Sequence, residues 1–527
     1  MLLKFIVSLI PVIPYIFLKS KKSLQMLQQN WYNDGNRYLK WIGNNKDKVF
    51  KNMDILFIIF IVGLFTNSVT IMTIFIIFYV LISILYLGKS KKEKIVKPLA
   101  FTKRVKRLVV TDFLIYIVAI LLMSLFFNEK LLYVYYLIIG LLIYLNYFVI
   151  YVANILNKPI EKMINNGFKK KALRKLDSMS NMKVIGVTGS YGKTSSKNIL
   201  NDILNVKFNS FPTPKNFNTP LGLIITINNH LDKFNDLFIA EMGAFQRGEI
   251  KELCDLVKPT YGILTKIGVA HLESFGSQEN IQKGKFELIE SLPSDGIGVL
   301  NFDDPLQVSY EIKNDCKIVT VGIDNKDVDF RATNIKLGSS GTTFDLVIKG
   351  DKTKYKFETK LLGKANVYNI LAGIALGYNL GINVEQLIVG VKKVKPVEHR
   401  LELKKMGIIN IIDDAYNANP DGTKMALDVL NSMPGKKIVI SSGMIELGEK
   451  SYELNKELGA YMSDKVDMAI LLGKDLTKPI YDGLIEKKFK KENIHILNNI
   501  NEAIELIKYE SSDTYVLIQS DLPDIFN

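Results

Sequence analysis

The stretch from Val184 to Ser196 constrains this chain more than any other. An apolar run, Val184-Ile-Gly-Val187, reads as a buried strand. It is followed by the glycine-rich turn Thr188-Gly-Ser-Tyr-Gly192 and then by Lys193-Thr194-Ser195, the first turn of a helix. Gly189 and Gly192 let the backbone approach a polyphosphate, and N–H groups at the helix start point at phosphate oxygens. Lys193 supplies a mobile positive charge for the outer phosphates, and the Thr194 hydroxyl can hold Mg2+. The usual Walker A spacing wants a glycine five residues before Gly192, and that position is Val187. A tight strand–helix turn with a surface lysine is the bland alternative, and Gly-Lys-Thr directly after an apolar strand weighs against it.

A chain of 527 residues holds several domains. Its long apolar runs crowd the first 155 residues, and the remainder has ordinary globular composition. The net charge of +15 raises nucleic acid as a partner. The basic residues cluster beside apolar runs, however, where anionic lipid and membrane topology account for them, and no aromatic–basic stripe accompanies them. Nucleic acid is therefore not expected as a partner. Cys254 and Cys316 lie far apart and make neither a disulfide framework nor a zinc site, which suits a reducing compartment.

Leu2–Leu18 is apolar apart from Lys4, and the following Lys19-Ser-Lys-Lys22 lacks a small-residue cleavage site, so it reads as a retained anchor. The polar stretch Lys19–Met53 carries eight Lys/Arg. Ile55–Leu87 is too long for one upright helix at about 1.5 Å per residue and is split at Asn67-Ser68. Gly88–Arg107 carries nine Lys/Arg, and two spans follow at Leu108–Phe127 and Leu131–Ile155. Five spans put both basic stretches and everything after residue 156 on one side, the cytoplasm by the positive-inside rule. A single span over Ile55–Leu87 would give four and set the two basic loops in opposite compartments. The expectation is a multi-pass protein of the plasma membrane in contact with its lipids, with cytoplasmic soluble domains. Lys158–Asn181 reads either as a basic connector lying on the membrane surface or as a solvated linker.

From Met182 short apolar runs alternate with amphipathic segments, as in a mostly parallel sheet flanked by helices. Leu237–Ala240 delivers Glu241 to a strand end, and Tyr261–Lys266 leads into the loop bearing His271. Ligands of open α/β sheets gather outside the carboxyl ends of the strands, so Glu241 and His271 form a credible divalent-metal shell beside the glycine loop. Asp327–Leu362 alternates as antiparallel strands, and Lys395-Pro396-Val397 reads as a hinge into a last, smaller α/β unit. The resulting division is 1–157 transmembrane, 158–181 basic linker, 182–396 nucleotide-binding and 397–527 C-terminal.

In this order the chain resembles the Mur ligases, most closely the MurF type. The residues that carry the resemblance are Thr188–Thr194, Lys215-Asn-Phe-Asn-Thr-Pro220, Glu241-Met-Gly243, Ala270–Gly276, Lys285-Phe-Glu287, His399-Arg-Leu401, Asp413–Pro420 and Met444-Ile-Glu-Leu-Gly448. The resemblance implies an α/β fold, a P-loop central domain plus a smaller Rossmann-like C-terminal domain, here preceded by an all-α transmembrane region. It implies ATP and Mg2+ as cofactors, and activation of a substrate carboxylate as an acyl phosphate that an amino acid or dipeptide amine displaces. Gly189, Ser190, Tyr191, Gly192, Lys193, Thr194, Ser195, Asn366, Asn369, Arg400, Asp414 and Asn417 then match nucleotide-binding positions. Thr194, Glu241, His271 and Lys285 match metal positions, Lys285 as the lysine that family members carbamylate. Asn216, Asn218, Thr219, Tyr416 and Asn419 match substrate positions, and Lys193, Lys285, His271 and Arg400 the catalytic ones.

The sequence departs from the family at three places: Ala365 where a histidine usually precedes Asn366, Gly443 for an aspartate and Asn455 for a histidine. The larger departure is that membrane spans stand where relatives acting on UDP-linked precursors carry a uridine-nucleotide-binding domain. The expected acceptor is therefore a lipid-linked or membrane-proximal wall precursor. Competing readings are a ligase of a poly-γ-glutamate-type polymer, a non-catalytic nucleotide-binding membrane module, and a general P-loop ATPase or transporter. No apolar strand ending in the Walker B aspartate supports the last.

Overall fold

Alternating apolar and amphipathic stretches after Met182 build two sheets, each with helices on both faces. The computed structural model describes residues 9–50, 69–92, 98–415, 419–445 and 447–519. The chain divides into two units, Met1–Gly167 and Phe168–Leu522.

In the first unit the described helices are Ile13–Gln29, Arg37–Asn44, Lys46–Val49, Val69–Lys92, Lys103–Leu125, Leu132–Tyr144 and the start of Asn146–Asp177. Among the described residues, Lys103–Leu125 is long and apolar enough to cross a membrane; a second, bent pair over Val134–Tyr144 and Asn146–Asp177 qualifies if taken as one span. The start of the expected first span and the proposed break at Asn67-Ser68 lie outside the described residues.

Two expectations change here. The first apolar helix does not stop at Leu18 but runs to Gln29, because Lys19 is buried and donates to the Tyr144 carbonyl at 3.3 Å, a cation placed at a helix C-terminus. The expected span Leu131–Ile155 is bent by 79° at Leu145. Asn146, fully buried at the bend, accepts from Ser23 at 2.6 Å and donates to Ser20 at 2.9 Å and to the Tyr116 hydroxyl at 3.3 Å. A buried amide needs all of these partners, and the bend serves them. The basic stretch expected as a linker is helical through Asp177.

The second unit opens with nine strands: β1 (Lys183–Thr188), β2 (Ser210–Pro212), β3 (Leu237–Glu241), β4 (Tyr261–Leu264), β5 (Ile297–Asn301), β6 (Lys317–Gly322), β7 (Phe330–Gly338), β8 (Gly341–Ile348) and β9 (Lys354–Thr359). They form one sheet in the order β2-β3-β1-β4-β5-β6-β7-β8-β9. The strands from β2 to β7 pair in parallel, and β7, β8 and β9 turn back antiparallel as their alternation predicts. One face packs on helices Lys193–Leu204, Lys364–Asn379 and Val384–Lys393, the other on Pro220–Asn229, Glu249–Val257 and Gln278–Glu290. The inner strands are apolar on both faces, as a doubly covered parallel sheet requires.

Six further strands, β10 (Glu402–Met406), β11 (Ile409–Asp414), β12 (Lys436–Ser441), β13 (Met468–Leu472), β14 (Ile494–Leu497) and β15 (Thr514–Gln519), make a second sheet ordered β10-β11-β15-β12-β13-β14. Only β10 is antiparallel. Its sequence, Glu-Leu-Lys-Lys-Met, carries the charges typical of an edge strand.

Candidate functional site

The register of the first sheet sets the site. In the β1–β3 pairing Val187 lies opposite Glu241, and in the β1–β4 pairing Thr188 lies opposite Leu264. All three strands therefore end together, and the glycine turn, the turn after Glu241 and the loop bearing His271 leave the same edge.

Gly189 has φ 151°, and a Cβ there would meet Thr265 Oγ1 at 2.0 Å. The turn is pinned against this loop: Ser190 N and Tyr191 N donate to the Lys266 carbonyl at 2.9 and 3.3 Å, and Thr265 Oγ1 donates to the Tyr191 carbonyl at 2.7 Å. β4 stops at Leu264, two residues earlier than its apolar pattern predicts, because the carbonyl of Lys266 serves the turn. Alanine at Gly189 must both strain the backbone and displace Thr265, at about 1–3 kcal/mol for the strain alone. Gly189→Ala is expected to weaken binding of a fluorescent ATP analogue at least tenfold in direct titration.

Gly192, φ 81°, caps the helix Lys193–Leu204 and lies under Asn369, whose Oδ1 would be 3.5 Å from an added Cβ. Asn369 contacts Asn366 at 3.5 Å, and Asn366 donates to the Leu362 carbonyl, so both buried amides sit over the helix start. Ser195 is buried one residue beyond Thr194. Lys193 folds back on its own turn and donates to the carbonyls of Gly189 and Ser190 at 2.9 and 3.1 Å. Burial lowers its pKa, Glu241 opposes that shift and Arg400 adds to it.

Glu241 is buried at the end of β3. Its Oε1 accepts from the Thr194 hydroxyl at 3.1 Å and from the Asn218 amide at 3.3 Å. A carboxylate and a hydroxyl this close are hard oxygen donors of the kind Mg2+ takes, and the donor set fits the ion. The turn that follows Glu241 gathers most of the remaining candidates. Thr188 donates to the Met242 carbonyl at 2.8 Å, and Gly243 N donates to the Asn218 carbonyl at 2.9 Å. Lys285 donates to the Ala244 carbonyl at 3.3 Å, and the His271 ring meets Phe245 edge-on with centroids 4.4 Å apart. His271 holds φ 62° and caps the short helix Leu272–Phe275.

Lys285 is 2 % exposed and lies 5.3 Å from the centroid of the Phe275 ring. Burial, with the Lys193 charge adding to it, brings its pKa down to about 7. Thr219 caps the helix Pro220–Asn229 by accepting from Gly222 N at 3.3 Å. Asn216 follows Lys215, which holds φ 49°. The segment Phe211–Gly222, with Pro212, Pro214 and Pro220, thus runs from the end of β2 into the start of this helix.

From the second sheet, His399 (φ 59°) and Leu401 (φ 49°) bracket Arg400 in left-handed backbone. Two such non-glycine residues in one tripeptide are costly and mark a constrained presentation. The tripeptide is tied down on both sides. His399 Nδ1 lies 2.9 Å from Asp413 Oδ2, which also meets Lys404 at 2.9 Å, and Leu401 N donates to Asp414 Oδ1 at 3.2 Å. Burial raises the Asp414 carboxyl to about 7 against the pull of Arg400 and of the Leu401 amide. Such a carboxylate costs stability as pH rises from about 4 to about 7, and the cost is constant above that. Asp414→Asn is expected to melt above wild type at pH 8, with the gap shrinking as pH falls from 7 toward 4 in thermal scans.

Asn419 caps the helix Pro420–Asn431 by accepting from Gly422 N at 2.8 Å. Tyr416 and Asn417 lie outside the described residues. Asn455, which replaces a common histidine, accepts from Met444 N at 2.8 Å and donates to the Met444 carbonyl at 3.0 Å, pinning the loop that begins at Gly443.

Sequence reasoning missed Lys197. Its signal was helical spacing: Ser196, Lys197, Leu200 and Leu204 all fall on the buried side of the helix.

A family model described as Mur ligase middle domain matches residues 187–377, and one described as Mur ligase, glutamate ligase domain, matches 399–521. The UDP-N-acetylmuramoyl-tripeptide–D-alanyl-D-alanine ligase of Bacillus subtilis is 34 % identical over 335 residues, 63 % of this chain and 71 % of that protein. The enzyme of the same description from Escherichia coli is 31 % identical over 55 % of this chain and 65 % of its own length. This chain thus spans about two thirds of these relatives. The crystal structure of MurF ligase from Thermotoga maritima in complex with ADP superposes with a TM-score of 0.60 at 27 % identity, covering 68 % of this chain and 80 % of that one.

Proposed function

As this chain belongs to the Mur ligase family, we propose that it joins a D-alanyl-D-alanine-type dipeptide to the carboxylate of a wall-precursor peptide presented at the membrane. It is an ATP-dependent ligase, and the family's chemistry uses Mg2+. The observation that carries the reading is the Thr194–Glu241 pair, 3.1 Å apart at the foot of a lysine-bearing glycine turn.

The acceptor carboxylate and the ATP γ-phosphate repel each other. Lys193 and the helix N-terminus offset that charge, and Thr194 and Glu241 would hold a Mg2+ that would neutralise the remainder. His271, whose ring meets Phe245 in the turn that follows Glu241, would be a further ligand to that ion. Asn216, Asn218 and Thr219 orient the acceptor, with Asn419 on the amine side. Gly189, Ser190, Tyr191, Gly192, Ser195, Asn366, Asn369 and Asp414 surround the nucleotide. Arg400 brings a second cation to the phosphates when the C-terminal domain closes, and closure keeps water from the acyl phosphate. The amine nitrogen then attacks the acyl carbon, phosphate leaves, and the nitrogen gives up a proton.

Lys285, with its pKa brought down to about 7, in its neutral form adds its nitrogen to CO2 and releases a proton, giving a carbamate that sets an anion beside the Lys193 charge. Activity is therefore expected to fall severalfold in CO2-depleted buffer and to return with bicarbonate, as read by phosphate release.

The long apolar helix Lys103–Leu125, with the bent pair Val134–Tyr144 and Asn146–Asp177 as a second span, supports a membrane-anchored enzyme, and the basic stretches beside the apolar runs favour cytoplasmic ligase domains. The test uses detergent-solubilised full-length protein with ATP, Mg2+ and D-alanyl-D-alanine. Lipid-linked muramoyl tripeptide is expected to be turned over at least tenfold better, by kcat/KM, than its soluble UDP-linked counterpart. Equal use of the two ends the membrane-substrate reading. No amine-dependent phosphate release with either ends the ligation of this dipeptide.

A further inference from the structure

Lys197 lies four residues beyond Lys193, with its side chain 0 % exposed. A fully buried ammonium is costly unless its partners are well placed. Its Nζ stands 3.0 Å from Glu241 Oε2 and donates to the Lys215 carbonyl at 2.5 Å. One side chain thus joins the buried carboxylate to the loop that carries Asn216, Asn218 and Thr219. The same loop returns to Glu241 from the other side, since Asn218 donates to Oε1. Lys215, whose carbonyl takes the bond, holds φ 49°, a conformation that an untethered lysine rarely keeps.

We infer that Lys197 is a positioning residue. It occupies one oxygen of Glu241, so that the carboxylate presents only the other toward Thr194, and it ties the Lys215–Thr219 loop to that carboxylate. The inference rests on the ligase reading of Glu241 and the loop, but two of its readouts need no turnover. A lysine that merely filled space would be replaced by methionine without consequence for either partner.

The experiment compares wild type with Lys197→Met in full-length protein. Amide exchange across residues 214–219 is expected to quicken at least tenfold while the helix Lys193–Leu204 keeps its protection. The Mg2+ concentration that half-saturates binding of a fluorescent ATP analogue is expected to move at least threefold, because both carboxylate oxygens are now exposed to the ion. KM for the acceptor peptide rises about tenfold, with kcat within threefold. Unchanged loop exchange and Mg2+ midpoint overturn the inference, as does loosening of the whole sheet together. If Lys197→Met does not fold, Lys197→Arg, too bulky to hold both partners at their present distances, carries the test, and the same readouts decide it in the same way. Absence of ligation by wild type would count against the proposed reaction and leave the exchange and Mg2+ readouts to decide this inference.

Discussion

Replacing Lys193 by alanine is expected to lower amine-dependent phosphate release by roughly 10³-fold, the scale on which a preorganised electrostatic donor acts. The lysine is held in reserve: its ammonium rests on the carbonyls of Gly189 and Ser190, within its own turn. A nucleotide phosphate need only draw it outward by rotation about side-chain bonds. The variant keeps every contact that pins the turn to Thr265 and Lys266, since those come from the backbone and from Thr265. Its melting temperature should therefore stay close to wild type while turnover collapses. A variant that lost both together would place Lys193 in the scaffold rather than in the chemistry.

Arg400→Ala is expected to reduce kcat by about 10³-fold, the lower end of what an arginine supplied to a phosphoryl transfer contributes. Nucleotide affinity should change less than fivefold, because Arg400 belongs to the second sheet and the glycine turn to the first. Arg400→Lys should recover little, since an ammonium lacks the planar fork. The measurement is single-turnover phosphoryl transfer alongside equilibrium nucleotide binding. A loss confined to binding would mean that Arg400 holds the ground state only.

Much of the ligase fold was legible because doubly covered parallel strands are short, apolar and regularly spaced. Leu237–Ala240, read as the strand that delivers Glu241, is β3, Leu237–Glu241. β2 was hidden by its prolines, and β10 by the charges that suit an edge. The bend at Leu145 was illegible for a different reason. Its cause is a buried amide whose partners, Ser20, Ser23 and Tyr116, come from other helices. An unbroken apolar run carries no trace of such a demand.

The site divides along the same line. Glu241 and the glycine turn were readable because their spacing to a strand end is local. The bracketed presentation of Arg400 depends on Asp413 and Asp414, a dozen residues away on a neighbouring strand. Lys197 escaped notice because lysine in a helix is ordinarily a solvent residue. Only the meeting of two separate loops around it makes it otherwise.

Lys266, whose carbonyl anchors the glycine turn, also sends its ammonium to Asp421, in the first turn of the helix Pro420–Asn431, at 3.2 Å. Both side chains are roughly two-fifths solvated, and such a bridge is worth at most about 1 kcal/mol. A latch of that strength lies within reach of thermal agitation and softens further with added salt. The same residue that pins the glycine turn thus gives the C-terminal domain only a light catch, one within reach of ordinary Brownian motion.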